Sequence, residues 1–246
     1  MSKDEFVIGI VGGMGSYATL NFFERILNAF PAEKEWERPR VIIDNRCTMP
    51  SRVRAVLYNE KENEVIDSIQ ESIEYLIEMG GENTSVILAC NTSHIFLNAI
   101  FERNPLLEKY IVNIIEECAK NIKKDNIDEV FIIATEGTID SRIYHKTFEK
   151  YGIKVKSPSK EGYAGMRYYI ELIKQNKLNE QNIESFEKYL EDFNERYIIL
   201  GCTEFSALYG KVQHVNENIN IIDPLEIAIN TLKCKWSSMN GNKDEK

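Results

Sequence analysis

Short β-branched runs alternate with longer amphipathic stretches along this chain, and the alternation is laid down twice. That order predicts an α/β protein with parallel sheets, because a parallel strand reaches its neighbour only through a long crossover. Residues 6–11 read as the first strand, followed by a glycine turn and a helix over 16–30. Residues 40–44 give a second strand. The helix expected over 63–79 carries Ile66, Ile69, Ile73, Leu76 and Ile77 at three- and four-residue spacing, one buried stripe. Gly80-Gly81 ends it, and a strand over 86–89 follows. The plan then restarts: a strand over 129–134, a turn at 135–138 leading to a helix near Asp140, and a strand over 153–155. Helices over 165–174 and 180–193 lead to a strand over 197–200. A last strand over 220–223 precedes Pro224, which opens a closing helix through Trp236, and 237–246 reads as a frayed polar tail. The crossover between halves falls at 105–110, and with no low-complexity linker the halves should pack tightly around a cleft.

A chain of 246 residues with 43 % hydrophobic content can fill one large core or two modest ones. Its net charge of −9 argues against a nucleic-acid or anionic-membrane surface, although one local Arg or Lys can still hold a small anion. No stretch reaches the roughly 18 apolar residues of a membrane span, and nothing at the N-terminus reads as a signal peptide. Five cysteines without secreted-type spacing fit reduced thiols. The expectation is a soluble cytoplasmic protein that engages neither nucleic acid nor membrane.

Two cysteines stand in matching settings. Cys90 in Leu88-Ala89-Cys90-Asn91-Thr92-Ser93-His94 and Cys202 in Leu200-Gly201-Cys202-Thr203-Glu204 each follow a strand and precede a segment that can start a helix. A thiolate is stabilised at such a place, and ligands of open α/β sheets bind beyond the carboxyl ends of strands. One buried cysteine is by default a small hydrophobe; two in matching contexts, one per half, point to two acid/base groups facing one substrate. Cys47, Cys118 and Cys234 lack that setting, and packing is the expectation for Cys118. Cys90 and His94 have a spacing that a helix brings to one face, but no C-x-x-C pair or second cluster accompanies them, so no metal is expected. His94 then reads as structural, and His145 and His214 as surface residues.

Gly13-Met14-Gly15-Ser16-Tyr17-Ala18 fits G-x-G-x-x-A after a strand, and Asp44 ends the next strand, where a ribose-binding acid would stand. A nicotinamide-dependent dehydrogenase is one reading of it. The pattern explains neither cysteine, and the glycines serve more simply to let backbone approach a small ligand. Residues 45–54 carry Arg46, Arg52 and Arg54; solvation is the default for such arginines, while one of them can clamp a carboxylate through its planar fork. Lys174, at a helix end, complements the dipole by default.

Together these residues resemble the aspartate/glutamate racemase family in its aspartate-racemase branch. Gly12-Gly13-Met14-Gly15 is similar to the family's glycine turn, Cys90-Asn91-Thr92 to its first catalytic loop and Gly201-Cys202-Thr203-Glu204 to its second. Ala134-Thr135-Glu136-Gly137-Thr138 resembles a second-domain turn, Asp223-Pro224 the closing strand, and Pro50-Ser51-Arg52 a Pro-Asp-Arg element. Ser16-Tyr17, Ser51 and Ser93 depart from the usual residues without touching a proton-transfer group.

The resemblance implies two similar α/β domains related by pseudo-twofold symmetry, 1–108 with the returning 216–246 and 109–215, with the active site in the interdomain cleft. It implies an isomerase without pyridoxal phosphate, other cofactor or metal, often homodimeric, that interconverts L- and D-aspartate or a close acidic amino acid. Cys90 and Cys202 would be the two bases, their thiols acidified by helix N-termini and nearby donors. Arg52 would take the side-chain carboxylate, with Met14 and Lys174 nearby; Asn91, Thr92 and Thr203 would hold the α-carboxylate. Ser93, Thr135, Gly137, Thr138 and Glu204 complete the expected substrate contacts. Glutamate racemase, maleate isomerase, hydantoin racemase and a non-catalytic carboxylate-binding module are the alternatives.

Overall fold

A computed structural model describes residues 5–212 and 216–241. Its first half runs β1 (Val7–Gly12), α1 (Ser16–Ala29), β2 (Arg40–Asn45), α2 (Arg52–Tyr58), α3 (Glu62–Gly80), β3 (Thr84–Leu88) and α4 (Leu97–Arg103). β1 lies between β2 and β3, parallel to both, with Ile8 opposite Val41 and Ser85. Every residue of β1 is buried, as a central parallel strand covered on both faces requires. α3 covers one face with Ile66, Ile69, Ile73 and Leu76 of the expected stripe, joined by Val65, while Ile77 is half-buried at its edge.

The second half runs α5 (Ile114–Lys124), β4 (Glu129–Ala134), α6 (Glu136–Asp140), α7 (Ile143–Glu149), β5 (Lys154–Lys156), α8 (Tyr163–Lys174), α9 (Glu180–Asp192), β6 (Tyr197–Gly201), α10 (Thr203–Tyr209), β7 (Asn220–Ile222) and α11 (Pro224–Gly241). Its sheet is again parallel, in the order β5-β4-β6-β7. The two parallel sheets form two α/β units, and one continuous core runs from Ile8, Phe22 and Ile87 of the first into Ile115, Ile133 and Phe205 of the second. Helices also meet across the seam, α1 against α8 and α10, and α2 against α6.

Four local expectations change. Residues 52–58, expected as arginine-bearing loop, form α2; Ser51 caps it by accepting from Arg54 N, and two turns are too short for periodicity to reveal. The turn at 135–138 is already helix, because Thr135 caps α6 through Thr138 N, and left-handed Arg142 separates α6 from α7. The closing segment, expected to return to the first half, divides: β7 joins the edge of the second sheet, whereas α11 packs on α5 and also reaches α1 of the first half. Its helix also continues past Trp236, whose ring sits edge-on to Phe30 at 5.4 Å, so 237–241 is helical rather than frayed; 242–246 and His214 lie outside the described residues. Among the described residues no helix is long and apolar enough to cross a membrane.

Asp223 concentrates several of these ties. Its carboxylate accepts from Leu225 N at 3.0 Å, capping α11, from the Ser206 hydroxyl at 2.9 Å, and from Arg25 of α1 at 2.7 Å. Asp223→Ala removes a helix cap and the partner of a mostly buried guanidinium together. Urea denaturation should show a loss of about 2–4 kcal/mol, whereas Glu226→Ala, at the exposed end of the same ion pair, should cost under about 1 kcal/mol.

Candidate active site

Cys90 follows β3 and is half-buried at its carboxyl end. The segment after it is a 3₁₀ helix, Thr92–Phe96, in place of the α-helical start that the sequence suggested. The Ser93 hydroxyl and His94 Nδ1 both donate to the Cys90 carbonyl, at 2.6 and 2.9 Å, and His94 N reaches the Asn91 carbonyl, so three-residue bonds set the winding. Ser93 is thus fully buried, with its hydroxyl proton donated to the Cys90 backbone. Asn91 is oriented by the Tyr144 hydroxyl, which donates to its Oδ1; its Nδ2, buried, has no partner.

Cys202 caps α10 in extended backbone, and its thiol donates to Glu204 Oε2 at 2.9 Å. Both residues are at least 95 % buried. Burial, then the Glu204 charge and hydrogen bond, push the Cys202 thiol well above its ordinary range; Cys90 adds to this and only the Lys174 charge opposes it. The sequence led us to expect a thiol acidified by helix N-terminal amides. Desolvation beside a carboxylate thus works against the acidifying pull of the α10 amides.

Hydroxyl groups stitch the two halves together here. Thr203 Oγ1 donates to the Ala89 carbonyl at 3.2 Å, with Glu204 Oε2 at 3.3 Å. Thr92 of the first half stands 3.0 Å from Thr135 and 2.9 Å from Thr138 of the second, and those two are 3.0 Å apart, so the three Oγ1 atoms form a closed ring. Gly137 lies beside it, where a Cβ would come within 3.3 Å of the Val53 backbone.

Of the three arginines after β2, two are tied outward. Arg46 bonds Glu71 and the Ser68 carbonyl, and Arg54 pairs with Glu60 on the surface. Arg52 turns inward: Nη1 donates to the Pro50 carbonyl at 3.0 Å and Nη2 to the Met14 carbonyl at 2.6 Å, while its buried Nε has no partner. Met14 itself is buried, in the glycine turn where Gly13 has φ +78° and a Cβ would strike the Arg46 backbone at 2.5 Å. A cavity of about 400 Å³ lies alongside, lined by Ser51, Thr135, Met166 and Lys174 among others; Lys174 is exposed and 3.7 Å from Glu171. Asp44 accepts from Ser72 at 2.6 Å and faces Arg46, so it is not a free ribose-binding acid. Among the described residues no three His, Cys, Asp or Glu side chains are grouped to hold a metal.

With this geometry in place, the comparisons with known proteins are direct. Residues 11–232 match the Asp/Glu/Hydantoin racemase family, and this chain belongs to that family. A glutamate racemase from Aquifex aeolicus (strain VF5) is 26 % identical over 152 residues, which cover 60 % of this chain and 57 % of the relative. Another, from Carboxydothermus hydrogenoformans, is 26 % identical over 233 residues, covering 91 % of this chain and 77 % of the relative. Among solved structures, Picrophilus torridus aspartate racemase superposes with a TM-score of 0.75 at 25 % identity, over 96 % of this chain and 98 % of its own. The two sets of parallel strands described above are the two-domain fold of these racemases.

Tyr144, which orients Asn91, is the participant the sequence did not disclose, and the role of Gly15, which leaves the space that Glu204 Oε1 fills, was not visible in the glycine turn. His145, expected on the surface, is half-buried on α7. His94 is fully enclosed, and burial pushes its imidazole down to about 4. The folded protein therefore keeps His94 neutral where an unfolded chain, with its pKa near 6.5, takes up a proton. Stability from this residue is complete above pH 6.5 and is lost as pH falls through the interval to 4, about 3 kcal/mol in all. Denaturation midpoints should fall more steeply over that interval in the wild type than in His94→Gln.

Proposed function

We propose that this protein interconverts the enantiomers of an acidic amino acid, aspartate foremost, with Cys90 and Cys202 as acid/base groups on opposite faces of Cα. The observation that carries this reading is the pair of thiols just beyond the carboxyl ends of β3 and β6, one from each half. In the proposed reaction the Cys90 thiolate takes the α-hydrogen, breaking Cα–H and forming S–H. The released electron pair spreads into the α-carboxylate. Cys202 then gives its thiol proton to the other face, leaving a thiolate. These steps call on no cofactor.

Two buried donors without partners, Asn91 Nδ2 and Arg52 Nε, support a substrate with two carboxylates. Leaving such groups unfilled costs about 1–3 kcal/mol each, which a bound anion recovers. In this reading Asn91 faces the α-carboxylate and Arg52 the distal one, with Lys174 supplying positive charge from the cavity side. The likeness to an aspartate racemase structure along nearly the whole chain puts aspartate ahead of glutamate, and the glutamate racemase relatives keep glutamate in the screen. The five free cysteines fit a reducing cytoplasm, and a homodimer belongs to the same proposal.

The decisive measurement is deuterium incorporation at Cα from D₂O, followed by NMR with purified protein and each enantiomer of aspartate and glutamate. Exchange and inversion with aspartate are expected, without added pyridoxal phosphate or metal. No exchange with either amino acid removes the racemase reading. Cys90→Ser and Cys202→Ser should each abolish inversion, and one of them should still wash out the α-hydrogen of a single enantiomer.

Arg52→Lys keeps the charge and loses the planar fork. Losing a charge-assisted bond worth about 1.5–3 kcal/mol lowers kcat/KM for aspartate roughly ten- to over a hundredfold. Alanine, lacking the distal carboxylate, should show a much smaller change. Equal losses for both would move Arg52 to the α-carboxylate or to a purely structural tie between Met14 and Pro50.

A further inference from the structure

Glu204 sits where a substrate contact was expected, yet its bonds run to Cys202 and Thr203. Oε2 receives the Cys202 thiol at 2.9 Å and lies 3.3 Å from the Thr203 hydroxyl, whose single proton it shares with the Ala89 carbonyl; Oε1 is buried and receives nothing. This carboxylate reaches across the seam. At Gly15, in the glycine turn of the other half, a Cβ would collide with Glu204 Oε1. Gly15 has extended backbone, φ −172° and ψ 106°, which any residue can adopt. Glycine is needed here for room.

We propose that Glu204 is a positioning residue that fixes Cys202 as the protonated member of the cysteine pair, and that the bare Cα of Gly15 is what lets it do so. If Cys202 lost its proton while Glu204 stayed charged, two anions would face each other about 3 Å apart in a buried site, with only the Thr203 hydroxyl to share. The remaining charged or titratable groups facing the thiol are Lys174 on α8, Cys90 beyond β3 and Tyr144 on α7. Only Lys174 favours the thiolate, and it lies at the exposed rim. In the resting protein Cys202 is thus the acid, so the first abstraction falls to Cys90. After one turnover the proton sits on Cys90, and the Glu204 carboxylate drives its return to Cys202 through solvent. This consequence rests on the racemase reading; the thiol–carboxylate coupling does not.

The test therefore reads ionisation directly in the ligand-free protein. Cysteine labelled with ¹³C at Cβ changes chemical shift when its thiol ionises, and Cys202→Ser identifies the Cys202 signal. In Glu204→Gln, which keeps the size and an acceptor oxygen, the Cys202 midpoint should fall by at least one pH unit, a tenfold or greater gain in acidity. The signals of Cys47, Cys118 and Cys234 should stay where they are. Gly15→Ala, which retains the carboxylate but pushes it off the sulfur, should move Cys202 in the same direction, and it carries the test if Glu204→Gln does not fold. An unchanged Cys202 midpoint in the folded variants overturns the proposal, as does a Cys202 signal that stays un-ionised up to pH 11 in both. A shifted midpoint in a protein that inverts no amino acid leaves the coupling standing and removes only the racemase reading.

Discussion

Between the two sheets, three threonine hydroxyls close a ring that belongs to neither half alone. Thr92 arrives from the loop after β3, Thr135 and Thr138 from the cap of α6, and each depends on its neighbour for a hydrogen-bond partner. Nearby, Thr203 reaches back to the Ala89 carbonyl. Each hydrogen bond of this kind contributes about 1 kcal/mol, but leaving any member buried and unpaired costs more. The positions of both cysteines follow, because Cys90 lies two residues before Thr92 and Cys202 immediately before Thr203.

Around that seam, polar groups divide by what they lack. Ser93, Thr203 and the threonine ring are satisfied within the protein. Asn91 Nδ2 and Arg52 Nε are donors without acceptors, and Glu204 Oε1 is an acceptor without a donor. Such groups are uncommon inside proteins, and His94 Nε2 in the Cys90 loop is another. In the proposed reading, a bound acidic amino acid would complete the bonding of Asn91 and Arg52.

Much of this was legible in the chain itself. The strands and the long helices followed from apolar runs and from the stripe on α3, since burial of one face dictates that spacing. Both cysteine loops could be located because a strand end followed by Thr is a local pattern, and Arg52 stood out among its neighbours through the resemblance and the proline before Ser51. What stayed hidden depends on partners distant in sequence. Nothing around Ser93 or Thr203 indicates that a backbone carbonyl consumes the hydroxyl. No helix-end argument anticipates the desolvation of Cys202, because burial belongs to the assembled fold. Gly15 was visible only as part of a glycine turn, and its reason lies in Glu204, far along the chain. The short helix α2 and the placement of β7 escaped for the same cause, being set by capping and sheet pairing rather than by periodicity.

The burial of Cys202, Asn91 and Thr138 has a temporal consequence. In the racemase reading proposed above, a substrate would reach them once the bonds that cover them open locally, the hydroxyl ring and the Thr203–Ala89 bond among them. Those few bonds would then act as a latch whose lifetime competes with proton exchange. With it shut, a hydrogen lifted from one face would be shielded from water and could be put back where it came from. Once it opened, solvent would rewrite the label. The ratio of inverted to merely exchanged product would thus measure how long the seam remains closed.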